Sequence, residues 1–308
     1  MMRLYPLRFM SCDINVDFVR SSFLSYSISL SLLALSVLFI LLKGFNFGID
    51  FVGGAVLEVS ASKNCDVVQM RKVLISLECG DVSVYSSGLE HSKNITIKVA
   101  KNNKGKLNDV TSVIKKSLLE NFPNDNLKYL SSEFVGPQIN SYLIKSGIKA
   151  IIFALLGVAL YVWLRFKLSF AIGILLTLVH NVLITLGVAS SINLDFNQST
   201  VAALLIIIGY CVNDSIVIYD RIVFNMKINN KIDSSVINSS INQTLSRTFL
   251  TSITTLLANV SLIVFGSHSI FSFSVLVFSG IMIGTYASIM LSGPLLLVLS
   301  RCIVGKMR

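Results

Sequence analysis

The stretch of sequence that decides the fold occupies residues 248–300 and reads TFLTSITTLLANVSLIVFGSHSIFSFSVLVFSGIMIGTYASIMLSGPLLLVLS. None of its 53 residues is Asp, Glu, Lys or Arg. Crossing a bilayer takes about 20 apolar residues, so the stretch is long enough for two crossings and indicates a polytopic α-helical membrane protein. Charged residues make up only 14% of the whole chain, against about 25% in soluble domains. That composition excludes an ordinary soluble enzyme and a disordered protein.

Six charge-poor apolar segments predict six transmembrane helices, at about residues 21–42, 148–164, 168–190, 199–219, 251–265 and 270–299. The first segment is similar to a signal peptide, but its 22 apolar residues exceed the usual apolar region of about 7–15 residues. No small-x-small cleavage site follows it, so we expect a retained anchor. The chain then divides into an N-terminus (1–20), a first transmembrane helix (21–42), a soluble insert (43–145), a bundle of transmembrane helices 2–6 (146–300) and a tail (301–308).

The positions of Lys and Arg orient these spans, because short cytoplasmic loops are enriched in both residues. The short loops 191–198 and 266–269 contain neither. The opposite side collects twelve, namely Arg3, Arg8, Arg20, Arg165, Lys167, Arg221, Lys227, Lys231, Arg247, Arg301, Lys306 and Arg308. This asymmetry predicts that both termini are cytoplasmic and that the soluble insert lies on the opposite side, which is the periplasm if the cell is bacterial. Much of the net charge of +10 is therefore a topology signal, and no nucleic-acid partner is expected.

The soluble insert predicts an α+β domain. Alternating or apolar runs indicate strands at 52–59, 81–85, 94–99 and 127–134, and helical spacing indicates helices at 65–77 and 106–121. The order β-α-β-β-α-β is that of a ferredoxin-like fold. The predicted core positions of the two helices are Val68, Val73 and Leu77, then Leu107, Val110, Val113, Ile114 and Leu118.

Asp214 is the most informative single residue, because it is the only acid well inside a predicted span. A charged side chain at that depth costs several kcal/mol, and such residues usually belong to ion pathways, proton relays or ion pairs. We therefore take Asp214 as a candidate proton carrier. The alternative is that the span ends earlier and Asp214 caps it at the water boundary.

Two arginines are candidate partners of Asp214. Arg221 follows it by seven residues, which is two helical turns, and so shares its helix face. Arg247 precedes the next apolar run and approaches the same face if the fourth and fifth spans form a hairpin. A mobile Arg–Asp pair is one way to couple a proton site to a change of shape. The alternative for both arginines is that they only anchor the topology.

The third, fifth and sixth spans carry polar or small residues at regular spacing. In the third span, Gly173, Thr177, Asn181, Thr185 and Ala189 form a stripe suited to close helix packing. His180 and Asn181 lie near its middle, where a histidine serves either as a proton relay or as a neutral hydrogen-bonded residue. In the sixth span, Gly280, Gly284, Ser288 and Ser292 predict a packing face. In the fifth, the wall expected to face Asp214 is made by Thr251, Ser252, Thr254, Thr255, Asn259 and Ser261.

A glycine-rich segment at residues 48–54 opens the soluble domain and includes Gly48, Asp50, Gly53 and Gly54. Such glycine density indicates turns or close backbone approach. No helix start or Lys follows, so the segment is not a phosphate-binding loop. We expect no disulfide between Cys65 and Cys79, because a helix between them would separate them by about 20 Å. No hydrolase motif, CxxC or Cys/His metal spacing is present in the sequence, and we expect no metal, no cofactor and no enzymatic activity.

Several ordered motifs together resemble a known family. They are the glycine segment 48–54, Phe134-Val135-Gly136-Pro137, the run 212–217 with Asn213 and Asp214, Asp220-Arg221-Ile222, and the segment 242–248. Over nearly the whole chain they resemble the SecF family of bacterial protein-export membrane proteins (SecD/SecF, RND-like). The resemblance implies half of an RND-type transporter, with six transmembrane helices and one periplasmic domain.

The resemblance also implies a function and a site. It implies an inner-membrane subunit that pairs with SecD and uses proton flow to help export preproteins. It also implies association with the SecYEG channel and the SecA motor, and YajC is a further candidate partner. Asp214 would be the proton-site carboxylate, with Arg221 and Arg247 as its arginines. Family members typically have His-Asp where this chain has His180-Asn181, which leaves Asp214 as the only acid. The alternatives are an RND-like exporter of small molecules or lipids and a passive scaffold.

Overall fold

The computed structural model describes residues 16–48, 51, 54–61, 66–77, 82–87, 93–100, 107–123, 127–135, 137–229, 233–266 and 268–305. In this part of the chain, six helices are long and apolar enough to cross a membrane, which confirms the predicted number. They are α1 (Ser22–Lys43), α4 (Pro137–Arg165), α5 (Leu168–Ser191), α6 (Gln198–Asn229), α7 (Ser234–Phe265) and α8 (His268–Met290); a shorter helix, α9 (Ser292–Gly305), follows.

Helix α6 packs against α8 along a face of small residues. Gly280 packs against the Ile207 side chain and Gly284 against the Cys211 side chain, and neither glycine leaves room for a Cβ atom of its own. One turn further, the hydroxyl oxygens of Ser215 and Ser288 are 3.2 Å apart. The same offset recurs along the pair, so the two helices run parallel. This contact confirms the packing face predicted for the sixth span.

Helix α5 runs antiparallel to α6 on another side. The predicted stripe is buried there, and a Cβ on Gly173 would meet the Tyr219 hydroxyl at 2.7 Å. Helix α1 packs in turn on α5 through buried serines, because Ser36 occupies the space beside Gly187. The exposed face of α1 is apolar, as expected of a helix in contact with lipid.

Three membrane helices extend beyond the predicted apolar segments. Helix α4 begins at Pro137 rather than near residue 148, α6 continues to Asn229, and α7 begins at Ser234 rather than near residue 251. The start of α7 is fixed by Asp233, whose carboxylate accepts a hydrogen bond from the Val236 amide at 2.9 Å. Hydropathy marks only the lipid-contacting part of a helix, and the polar turns beyond it are helical as well.

The predicted sixth span is wrong as a single helix over 270–299. The structure ends α8 at Met290 and starts α9 at Ser292. Pro294 explains the break, because proline has no amide hydrogen for the bond to the Met290 carbonyl and its ring clashes with that turn. Leu291 therefore separates two helices in what is otherwise a continuous apolar run.

The soluble insert forms a four-stranded antiparallel sheet. Its strands are β2 (Gly54–Ala61), β3 (Val82–Ser87), β4 (Lys93–Ala100) and β5 (Lys128–Val135), in the order β3-β4-β2-β5. Helix α2 (Val67–Ser76) precedes β3, and α3 (Leu107–Asn121) precedes β5. The β-α-β-β-α-β order and the antiparallel pairings match the predicted ferredoxin-like topology.

The core of this domain differs from the prediction in its helices. On α2, Met70 and Leu74 are buried, whereas Val68 is 63% exposed. Asp66 caps α2 by accepting from the Val68 amide at 2.9 Å. Val73 and Leu77 are half-buried. On α3, Ile114 and Leu118 are buried as predicted, and Val113 is exposed. The side chains of Leu107 and Val110 lie outside the described set.

An aromatic cluster connects the α+β domain to the bundle. Strand β1 (Asn46–Phe47) pairs in parallel with β6 (Asp195–Phe196), which lies between α5 and α6. The cluster comprises Phe45, Phe47, Phe51 and Phe196. The Gly48 amide donates to the Phe196 carbonyl at 2.8 Å, and a Cβ at Gly48 would approach Asn197 to 3.2 Å. Close backbone approach explains this glycine.

The structure describes only some of the other residues in the motif segments. Gly54 begins β2, and Pro137 is the first residue of α4. Asp50, Gly53 and Gly136, as well as Cys65 and Cys79, lie outside the described residues.

Candidate functional site

Asp214 lies inside α6, which continues past it to Asn229, so the residue does not cap the helix. Its side chain is only 3% exposed, and its Oδ2 atom has no hydrogen-bond partner in the described structure. Burying an unpaired carboxylate in a membrane is expensive. This position therefore favours the protonated, neutral form of the group unless a donor moves toward it.

The side chain of Asn181 on α5 reaches the same place. Its Nδ2 donates to the Cys211 sulfur at 2.8 Å, and Cys211 lies one turn before Asp214 on α6. The Asn181 Oδ1 atom is buried and has no hydrogen-bond partner among the residues that the structure describes. Gly284 on α8 gives these side chains room, because a Cβ there would overlap both Cys211 and Asn181. Three helices thus meet around one buried polar cluster.

Helix α7 forms the remaining wall. The side chains of Asn225 and Ser240 are 2.8 Å apart, and those of Tyr210 and Ser252 are 3.3 Å apart, so α6 and α7 are antiparallel. The register between these two pairs places Thr248 opposite Asp214. Thr248 is also buried, and its hydroxyl oxygen has no hydrogen-bond partner among the described residues. Its hydroxyl is therefore a neutral donor on α7 at the level of Asp214.

The two candidate arginines behave differently. Arg221 donates from Nε to the Gln243 side chain on α7, and its guanidinium lies 4.9 Å from the centre of the Phe224 ring. Arg247 is exposed yet within electrostatic range of the Asp214 carboxylate. Within the described part of the chain, the Arg247 guanidinium makes no hydrogen bond or salt bridge. Arg247 is therefore the cation that is free to move toward Asp214.

Gln243 was not singled out by sequence reasoning. Besides Arg221, its side-chain oxygen accepts from Asn225 at 3.0 Å. It therefore holds α6 and α7 together just beyond Asp214. The only sequence signal was its place in the motif segment 242–248, which also contains Arg247 and Thr248.

His180 and Asn181 are adjacent but face different neighbours. His180 Nε2 contacts the Ser29 hydroxyl of α1 at 2.5 Å, and its Nδ1 is buried without a partner among the described residues. It lines a cavity of about 300 Å³ whose polar side also includes Tyr26 and Thr177. His180 thus lies on the α1 side of α5, whereas Asn181 faces Cys211 on α6. Asn213 is exposed and does not join the cluster.

The predicted polar wall of α7 is only partly correct. Ser252 is buried and its hydroxyl lies 2.8 Å from that of Thr285, and Asn259 is buried as well. Thr254 and Ser261 are exposed and donate to carbonyls of their own helix. A Ser or Thr hydroxyl inside a membrane helix can donate its hydrogen bond to a carbonyl of the same helix. Polar residues therefore do not by themselves identify the helix face that packs against the bundle.

Comparison with known proteins places this geometry in a family. The model "Protein export membrane protein SecD/SecF, C-terminal" matches residues 114–302, and the "SecD/SecF GG Motif" model matches residues 38–64. A relative from Rickettsia prowazekii called Protein translocase subunit SecF is 48% identical over 296 residues, covering 96% of this chain and 94% of the relative. The chain belongs to the SecF family. A SecF of Rickettsia typhi is likewise 48% identical, with 96% of each chain covered.

Solved structures support the same assignment. The crystal structure of SecDF from Thermus thermophilus, described as a translocon-associated membrane protein, matches with a TM-score of 0.80 and 31% identity over 97% of this chain. A SecDF structure in a super-membrane-facing form matches with a TM-score of 0.71. This chain spans 40% of the length of those SecDF chains. The SecF fold therefore corresponds to one part of the longer SecDF protein.

Proposed function

We propose that this SecF-family chain is an auxiliary, non-enzymatic subunit of the Sec translocase that works with SecD and uses the proton motive force to promote preprotein export. The observation that supports proton coupling most is Asp214, a buried carboxyl group at the junction of four membrane helices, one oxygen of which has no partner in the described part of the chain. A residue of this kind is expected to serve an ion pathway or a relay.

The charge distribution supports a topology for this function. The ends that carry Arg20, Arg165, Lys167 and Arg301 are basic, and the linker at 191–198 has no Lys or Arg. By the positive-inside rule, both termini are cytoplasmic and the α+β domain is periplasmic. The protein is then a multi-pass component of the bacterial inner membrane. Protons driven inward would cross the bundle from the domain end toward the basic end.

A two-state cycle follows from the surroundings of Asp214. A neutral Asp214 is tolerated in the buried cluster while Arg247 stays at the surface. An ionised Asp214 requires a donor, which the Thr248 hydroxyl and an inward-moving Arg247 supply. Both residues belong to α7, whereas Asp214 belongs to α6, so loss of the proton favours a different α6–α7 arrangement. Coupling of this kind needs two arrangements of one element that a ligand, here a proton, biases differently.

The partners proposed are those of a Sec translocase: SecD, the SecYEG channel, the SecA motor, YajC as a further candidate, and the translocating preprotein. SecD is the best supported, because the solved SecDF chains are longer and this chain accounts for 40% of their length. The surrounding partner is the lipid bilayer. A small-molecule exporter is less well supported, because the chain covers 94% and 96% of two relatives called SecF.

The decisive experiment measures secretion of a reporter preprotein across energised inner-membrane vesicles. Asp214→Asn keeps the shape of the side chain but removes its ionisable group, so the side chain can no longer bind and release a proton. We expect the stimulation of export by a proton gradient to fall to the level seen without this subunit. Asp220→Asn is the matched control, because Asp220 lies on the same helix but is exposed and pairs with Arg165 at 3.4 Å.

Two outcomes would contradict the proposal. Full gradient-dependent export by the Asp214→Asn variant, while a strain without the subunit fails, would leave only a scaffold role. An equal loss in the Asp220→Asn control would show that disturbing α6, rather than removing the proton site, is responsible. Co-purification with SecD separates the translocase from a homo-oligomeric exporter.

A further inference from the structure

An apolar cavity of about 230 Å³ lies at the domain end of the bundle. The aromatic cluster defined above covers one side of it. Helices α4, α5 and α6 form the rest, through Ile144, Gly147, Ile148, Ile151, Leu186 and Leu204. A buried water occupies about 30 Å³ and needs two to four polar partners, whereas apolar cavities stay dry and accept apolar guests. The lining therefore suits hydrocarbon rather than water.

The cavity adjoins a surface that contacts lipid. Ile148 lines the cavity and is also 55% exposed. One turn along α4, Ile152 and Phe153 are exposed too, and only 6% of the apolar window of α4 is buried inside the structure. Among the described residues, an apolar surface thus runs from the bilayer to the cavity, and acyl chains can follow it.

Two lysine side chains lie beside the part of the cavity that faces lipid. Lys145 follows Ile144 directly, and Lys149 follows Ile148, so the two lysines lie one helical turn apart at the end of the membrane span. Both are exposed. In the described ranges neither forms a salt bridge. Basic side chains at this level of a membrane protein attract anionic lipid head groups.

We propose that this cavity binds one acyl chain of an anionic phospholipid whose phosphate contacts Lys145 and Lys149. The bound acyl chain fills the space between the aromatic cluster and helices α4, α5 and α6. It thereby stiffens the place where the α+β domain joins the bundle. This site is separate from Asp214, so the proposal does not rest on proton coupling.

The test uses the full-length chain, reconstituted in vesicles that contain phosphatidylglycerol and phosphatidylcholine, then extracted and analysed by native mass spectrometry. We expect retained phosphatidylglycerol in excess over phosphatidylcholine. Lys145→Gln should reduce that excess about fivefold, the effect of one lysine at an anionic surface. Lys167→Gln is the matched charge control, because Lys167 lies at the other end of α4 and α5.

A second pair of variants tests the cavity itself. Ile148→Trp places a ring in the opening and should abolish retention of either lipid. Leu160→Trp, about three turns further along α4, outside the cavity lining and similarly exposed, should retain lipid like the wild type. Equal retention of the two lipids by the wild type, or normal retention by Ile148→Trp, would overturn the proposal. So would a photo-crosslinker at residue 148 that captures a protein subunit instead of lipid, because that subunit would then cover the cavity.

Discussion

At the scale of single residues, the candidate site depends on what surrounds Asp214 rather than on the carboxyl group alone. Asn181 and Cys211 hold each other by a hydrogen bond and leave the Asn181 Oδ1 atom unpartnered within the described structure. Asn181 occupies the position where the resemblance implies an aspartate. A second carboxylate there would lie close to Asp214 and repel it. With the neutral amide of Asn181 in its place, Asp214 is the only carboxyl group of this described cluster.

The glycine opposite this cluster gives a direct stability prediction. Gly284→Ala puts a methyl group where Cys211 and Asn181 lie, and overpacking of this kind costs about 1–3 kcal/mol. Gly157→Ala is the same substitution on α4, where nothing lies within 4 Å, and should be neutral or slightly stabilising. Steric-trap unfolding in bicelles measures both. Equal stability of the two variants would contradict the packing described, and adding Cys211→Ala should restore part of the loss in Gly284→Ala.

How far the sequence predicts the site depends on the kind of residue. Asp214 was predictable because an acid inside an apolar run stands out against the cost of burying it. Thr248 and Gln243 were not, because their roles follow from the register between α6 and α7, which no local pattern specifies. Arg221 was placed on the face of Asp214 by helical periodicity, but its side chain turns to Gln243 instead.

At the scale of elements, the segment before α1 is fastened to α7 by two asparagines. The Asn242 side chain accepts from the Val16 amide at 3.0 Å and donates to its carbonyl at 2.9 Å. Asn238 accepts from the Val19 amide at 3.0 Å and donates to Asp17 at 2.6 Å. We call these contacts the N-terminal clasp. They connect α1 to the helix that carries Arg247 and Thr248, so a movement of α7 would also displace the start of α1.

The clasp predicts a pH dependence outside the membrane. Hydrogen bonds from the Arg20 amide and the Asn238 side chain lower the pKa of Asp17 below its ordinary value. A lowered folded-state pKa contributes stability above the unfolded pKa of about 3.9 and loses it as the pH falls further. A spin label at residue 16 should therefore be ordered at pH 7 and gain mobility only below about pH 3.9, as the pH falls through the lowered folded-state pKa of Asp17. Asp17→Asn should remove this pH dependence, because the amide does not ionise; the same loss of order on acidification in that variant would refute the role of Asp17.

Element boundaries were the least predictable feature, for physical reasons. Hydropathy located all six membrane helices, since lipid contact requires apolar side chains. It did not show that α6 and α7 continue as polar helices beyond the apolar segments. It also missed the break at Leu291, where Pro294 interrupts a run that is apolar on both sides. A proline after Ser292-Gly293 was the signal available in the sequence.

At the scale of the whole molecule, the α+β domain is joined to the bundle by α1, by α4 and by the short β1–β6 pairing. The β-α-β-β-α-β order of the domain was predictable from strand and helix spacing. Its pairing with residues 195–196 was not, because β1 and β6 are two residues each and 149 positions apart. The aromatic cluster packs around this junction, because Phe45, Phe47 and Phe51 all contact the ring of Phe196 beside the β1–β6 pairing.

This arrangement predicts that the β1–β6 pairing is a permanent pivot. Asn46 and Asp195 are direct partners in register, and their side chains are 2.9 Å apart. Neighbouring strands are spaced about 4.8 Å apart, within the range that a disulfide bridges. Asn46→Cys with Asp195→Cys, oxidised in vesicles, should therefore leave gradient-driven export unchanged relative to the reduced form. If oxidation stops export and a reductant restores it, the pairing must open during each cycle, and the junction is a gate rather than a pivot.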